Sequence, residues 1–236
     1  MSSIQQNIEH ITSQIESAQQ KCGRPRESVQ LLAVSKTKPI EAILDAAKCG
    51  QRTFGENYVQ EGVDKVKHFN QTHSELDLEW HFIGPIQSNK TRLVAEHFDW
   101  VHTIDRTKTA QRLNDQRPES MGSLQVLIQV NTSGEQSKSG INSDEVFALA
   151  ELISSLPNLT LRGVMSIPAN VPDYQSQLAE FEKLATLKQQ LAEKYDHIDT
   201  LSMGMSGDMD AAIHAGSTMV RIGTAIFGAR DYSNKS

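Results

Sequence analysis

One pattern constrains this chain more than any other: apolar, β-branched runs recur eight times, and a stretch with helical periodicity follows them. The runs are VQLLAVSK (29–36), QRTFGEN (51–57), WHFIGP (80–85), WVHTID (100–105), LQVLIQVN (124–131), LRGVMSIP (161–168), DTLSMGM (199–205) and TMVRIGT (218–224). Strands this apolar are buried on both faces, which is the habit of a parallel sheet covered by helices. Eight such units in 236 residues predict a single-domain α/β chain folded as a (β/α)8 barrel of the TIM type. An open doubly wound sheet is the rival, and periodicity alone does not separate the two.

The segments between the runs carry helix signals. Residues 1–20 place Ile4, Ile8, Ile11 and Ile15 at helical spacing, which predicts an extra N-terminal amphipathic helix packed on the barrel. After the first run, Pro39 suits a first helical position, Ile40, Ile43, Leu44 and Ala47 form an apolar stripe, and Gly50 can close the helix. Asn142 and Glu145 have the spacing of a capping box ahead of Val146, Leu149, Ala150 and Ile153. Pro172 precedes a long stripe of Tyr174, Leu178, Phe181, Leu184, Leu187 and Leu191.

Composition narrows the class of partner. A net charge of −6 argues against nucleic acid or an anionic membrane and favours a small molecule or another protein. The sequence contains no apolar run of the length that a signal peptide or a membrane span needs. Cys22 and Cys49 form no motif, so a reduced, cytoplasmic setting is expected, and the eight histidines show no metal-ligand spacing.

A barrel carries its chemistry at the C-terminal ends of its strands, and polar residues and glycines gather there. Lys36 ends the first run, where a partly desolvated amine is nucleophilic and can condense with a carbonyl; Lys38 reads as a surface residue. Ser202, Gly204, Ser206 and Gly207 follow the seventh run, and Gly223 and Thr224 end the eighth. Barrels bind phosphate between these two loops and the N-terminus of a short helix, for which GTAIFG is the candidate. Asp208 and Asp210 would repel an anion at the neighbouring helix, so Gly223 and Thr224 carry more weight. Arg221 shares the face of Gly223 and points inward, either into a structural salt bridge or toward a ligand. His81 and His102 read as hydrogen-bonded core histidines.

An imine-forming lysine, a phosphate cup and an opposing cation describe a site for pyridoxal 5′-phosphate. The stretches AVSKTKP, FGENYVQE, WHFIGPIQSNK, GVMSIP, LSMGMSGDMDAAI and VRIGTAIFG closely resemble the pyridoxal phosphate homeostasis protein family along nearly the whole chain. The resemblance implies a barrel like the N-terminal domain of alanine racemase. It makes Lys36 the Schiff-base lysine and Arg221 the partner of the pyridine nitrogen. It assigns Ser202, Ser206, Gly223 and Thr224 to the phosphate, and places Asn57 and Met165 along the ring.

Three functions compete at this point. An arginine donates to the pyridine nitrogen but does not yield it a proton, which disfavours transamination and decarboxylation through a long-lived carbanion. Racemisation tolerates a neutral ring, yet no tyrosine among Tyr58, Tyr174, Tyr195 and Tyr232 is assignable as a second base, and only Ala225 to Ser236 follow the eighth run. A Schiff-base aldolase acting on a phosphosugar would use the same lysine and loops, but leaves the whole-chain resemblance unexplained. The expected function is therefore a monomeric cytoplasmic carrier, not an enzyme, that buffers the cofactor and delivers it to apoenzymes. Lys138, in the loop NTSGEQSKSGI, could take a transient second imine during delivery.

Overall fold

The computed structural model describes residues 2–136 and 139–229. Helix α1 (Ser3–Lys21) leads into β1 (Gln30–Val34), α2 (Ile40–Lys48), β2 (Thr53–Glu56) and α3 (Val59–Thr72). Next come β3 (Glu79–Phe82), α4 (Thr91–His97), β4 (Trp100–Ile104), α5 (Thr107–Gln116), β5 (Leu124–Gln129) and α6 (Val146–Ser154). The chain continues through β6 (Leu159–Met165), α7 (Tyr174–Lys194), β7 (Thr200–Ser202), α8 (Met209–Ala215), β8 (Met219–Ile222) and the short α9 (Thr224–Phe227). The eight strands pair in parallel and in chain order into a closed barrel. Closure is made by four registered pairs between β1 and β8, from Gln30 with Met219 to Ala33 with Ile222. The barrel, not the open sheet, is the fold.

All eight runs form strands, and every strand stops before its run does. β1 ends at Val34, not Lys36, and β7 at Ser202, not Met205. The surplus residues leave the ladder and turn toward the mouth of the barrel. Pro39 is the residue before α2, with extended backbone at ψ 163°, and not its first helical position. A proline without an N–H fits either place, because neither needs the donor. Gly50 lies just past α2 at φ +95°, the left-handed conformation in which glycine pays no Cβ penalty. The Asn142–Glu145 capping box is present, and it starts a short 3-10 turn that runs into α6. On α7, Asp173 accepts from Ser176 N as the cap, and Phe181, Leu184, Leu187 and Leu191 are buried, while Tyr174 is exposed.

Burial divides into an outer and an inner layer. Outward strand residues such as Ala33, Phe54, Phe82, Val101 and Val126 pack with the helices into one large apolar cluster, which Ile8, Ile11 and Ile15 of α1 join. Inside the barrel there are two small apolar groups: Leu32, Val34, Ile83 and Met219, and Trp100, Leu127 and Met165. Polar side chains fill the remaining interior, among them His81, His102, Ser202 and Arg221. At one joint only glycine fits: a Cβ on Gly163, at φ +152°, would lie 1.8 Å from the Thr200 carbonyl oxygen across the β6–β7 pair.

Candidate functional site

The C-terminal mouth holds a cavity of about 280 Å³. Its lining combines Lys36, Lys38, Asn57, Ser206, Arg221 and Thr224 with the backbone of Gly207 and Gly223. Val34, Ile83, Ile167 and Met205 supply apolar walls. Three cationic side chains thus face one small space. Of the eight residues expected at the site, six line it: Lys36, Asn57, Ser206, Arg221, Gly223 and Thr224.

Met165 and Ser202 do not line this cavity. Met165 is fully buried with Trp100 and Leu127, because its strand keeps it in the barrel interior below the mouth. Ser202 is likewise fully buried, and its hydroxyl is engaged within the barrel rather than offered to a ligand. Lys38 lies at the surface, as expected, and adds to the site from there. It lines the cavity, and its Nζ donates to the carbonyls of Gly228 at 3.1 Å and Ala229 at 2.7 Å, just beyond α9. Lys138 lies outside the described residues.

Arg221 is the most heavily supported of these side chains. Its Nη1 donates to Ser202 Oγ at 2.7 Å and its Nη2 to the Ser166 carbonyl at 2.9 Å, while its backbone N–H donates to Gly204 O at 2.9 Å. Burial lowers its pKa to about 10, with Asp208 acting in the opposite direction, so it remains a cation at neutral pH. Asp208 itself turns back into its own loop, accepting from Met205 N at 2.7 Å, and burial raises its carboxyl pKa. The repulsive acid expected beside the phosphate loop is thus partly spent within the loop.

Behind Arg221 the polar interior forms a continuous chain. Ser202 Oγ lies 3.0 Å from His102 Nδ1, His102 Nε2 lies 2.8 Å from His81 Nδ1, and His81 Nε2 lies 2.7 Å from Glu79 Oε1. Both histidines are fully buried, as core histidines were expected to be, and burial holds the His102 pKa well below its ordinary value. The proton directions follow from the Glu79 carboxylate, which can only accept. His81 donates to it from Nε2 and accepts at Nδ1 from His102, so His102 is protonated on Nε2 and its Nδ1 accepts from the Ser202 hydroxyl, which in turn accepts from Arg221. That bond from His81 is the main cause holding Glu79 below the usual carboxylate range.

Lys36 sits at a turn. Lys38 N donates to Ser35 O at 3.1 Å, so Lys36 and Thr37 are its central residues, and Thr37 has φ +64°. This is the arrangement of a type II turn, whose third position normally takes glycine. Asn57 is fixed from the β3 side, because a Cβ on Gly84 would fall 2.1 Å from the Asn57 carbonyl oxygen, leaving room for glycine alone.

The family described as alanine racemase, N-terminal domain, matches residues 6–231. A protein of Vibrio cholerae named pyridoxal phosphate homeostasis protein is 76% identical over the full length of both chains. The chain belongs to the pyridoxal phosphate homeostasis protein family. The Escherichia coli member of the family is 58% identical, over 100% of each chain. Among solved structures, PipY of Synechococcus elongatus, determined with PLP bound, is 35% identical with a TM-score of 0.81, covering 95% of this chain and 100% of that one. Alanine racemase of Corynebacterium glutamicum shares the fold at 15% identity and TM-score 0.66, and this chain spans 63% of its length. The barrel is therefore common ground between the family and the larger racemase.

Proposed function

We propose that this chain binds pyridoxal 5′-phosphate in the Lys36 cavity, stores it as a Schiff base on Lys36, and buffers or hands it on without turning over amino acids. The observation that carries this reading is the convergence of Lys36, Arg221 and the Ser206–Gly207 and Gly223–Thr224 loops on one cavity. That donor set fits the group. The hydroxyls of Ser206 and Thr224 and the backbone of two glycines suit a phosphate. The guanidinium of Arg221 suits an acceptor nitrogen. The amine of Lys36 suits an aldehyde: its Nζ adds to the carbonyl carbon, water leaves, and hydrolysis reverses the step without change of oxidation state. The PLP-bound relative and the homeostasis proteins named above support the same assignment.

Storage rather than turnover is favoured by what faces the cavity. Among the described residues, no tyrosine or histidine lines it, and the second amine there, that of Lys38, is bound to the Gly228 and Ala229 carbonyls. A racemase needs a second acid–base group opposite the lysine. Delivery to apoenzymes from a cytoplasmic monomer completes the proposal, and no helix among the described residues is long and apolar enough to cross a membrane.

The test is spectroscopic. The protein incubated with pyridoxal phosphate should absorb in the visible, lose that band on borohydride reduction, and carry the adduct on the Lys36 peptide. Lys36→Ala should form no adduct there. A colourless mixture, or an adduct on another lysine, would overturn the site. Amino-acid turnover by the coloured protein at enzymatic rates would overturn the storage role.

A further inference from the structure

Outside the cavity, a buried group of charges touches the turn that carries Lys36. Glu56 ends β2 pointing away from the barrel interior, and Lys65 reaches it from α3 at 2.5 Å, with both side chains almost fully buried. Lys65 Nζ also contacts Glu61 Oε1 at 2.7 Å, one helical turn earlier on α3. Two members of this group then bond the peptides on either side of Lys36. Lys65 Nζ donates to the Ser35 carbonyl at 2.8 Å, and Glu61 Oε1 accepts from the Thr37 N–H at 2.5 Å.

Each bond answers a local need. The Thr37 backbone is left-handed although the residue is β-branched, a conformation that such side chains resist. A turn of that kind persists only when its surroundings over-determine it. The Ser35 carbonyl takes both the turn's own bond from Lys38 N and the bond from Lys65. A buried lysine needs its charge matched, and Glu56 supplies that match from the end of β2.

We propose that Lys65 and Glu61 are positioning residues that clamp the Lys36 turn and aim the amine into the cavity, with Glu56 holding the Lys65 ammonium in place. The proposal rests on the reading of Lys36 as the attachment point. Binding and attachment should then separate. Loss of the clamp leaves the phosphate loops and Arg221 intact but lets the lysine swing away from the carbonyl carbon.

Glu61 is the residue to change, because its side chain is 30% exposed and its truncation does not strand Glu56. Glu61→Ala should lower the equilibrium fraction of borohydride-trapped Lys36 adduct at a given pyridoxal phosphate concentration by roughly tenfold, about one charge-assisted hydrogen bond. Affinity for pyridoxine 5′-phosphate, which has the phosphate and ring but no aldehyde, should stay within about twofold of wild type. Glu61→Gln retains an acceptor oxygen for Thr37 and should recover most of the adduct. Equal loss for both ligands, or an unchanged adduct in Glu61→Ala, would overturn the clamp, as would Glu61→Gln behaving like Glu61→Ala. Failure of the wild-type protein to form the adduct on Lys36 would instead overturn the proposed function.

Discussion

At the residue scale, Ser202 changes meaning most between sequence and structure. From its neighbours SMGMS it reads as a phosphate ligand; in the barrel it is the link between Arg221 and His102. Ser202→Ala removes the acceptor of the guanidinium and the donor to the imidazole, leaving two buried polar groups short of a partner. The expected loss is about 1–3 kcal/mol in urea unfolding, together with weaker cofactor binding as Arg221 loses one of its two side-chain anchors. Arg221 itself was legible, because two-residue alternation along a strand put it on the face of Gly223. The Ser202 bond was not, since it pairs residues that are far apart in sequence and meet only when β7 and β8 lie side by side.

At the element scale, α9 is the piece whose support sequence reasoning missed. GTAIFG was recognisable as a short helix after the last strand, and Gly223 and Thr224 do line the cavity. A helix of four residues has little stability of its own. It is held from two sides: Asn7 of α1 donates to Ile226 O at 2.8 Å, and Lys38 donates to the carbonyls just past its end. Lys38→Ala should therefore loosen the phosphate end of the site. Affinity for pyridoxine 5′-phosphate is expected to fall several-fold by isothermal titration, in contrast to the Glu61→Ala variant, in which it should hold. Strand boundaries were the other weak point. Apolar character runs past the end of β7 because Met205 walls the cavity, while β1 gives way at once to Ser35 and Lys36; residues that line a mouth are chosen for a different reason from residues that pair.

At the scale of the whole molecule, eight alternating runs implied the barrel, and the structure closes it in chain order. The buried charges were opaque by comparison. Glu61 and Lys65 share a helix face, but nothing local links Glu56 to either of them. Glu56 and His102 also give the protein opposite responses to pH. Burial pushes the Glu56 carboxyl from 4.5 to about 7, against the pull of Lys65. Between those values the folded protein keeps a proton that the unfolded chain has released, so this contribution falls as pH rises, by on the order of 3 kcal/mol at most. His102, depressed from 6.5 by burial, acts in reverse: the unfolded chain takes up a proton that the folded one refuses, and stability falls as pH drops below 6.5. Below pH 6.5 the two responses oppose each other, so Glu56→Gln should abolish the decline on the neutral side and steepen the acid decline, as read from urea midpoints between pH 5 and 8.

The pairing of β1 with β8 has a further consequence. Lys36 follows the first strand and Arg221 belongs to the last, so anything that bridges them fastens the seam where the barrel closes. A fragment lacking either end would have half a receptor and no reason to bind. The occupant then acts as a rivet: at a hundredfold excess over its Kd it would add about 2.7 kcal/mol to the folded state. Keeping a reactive aldehyde out of solution and keeping the first and last strands together become the same event.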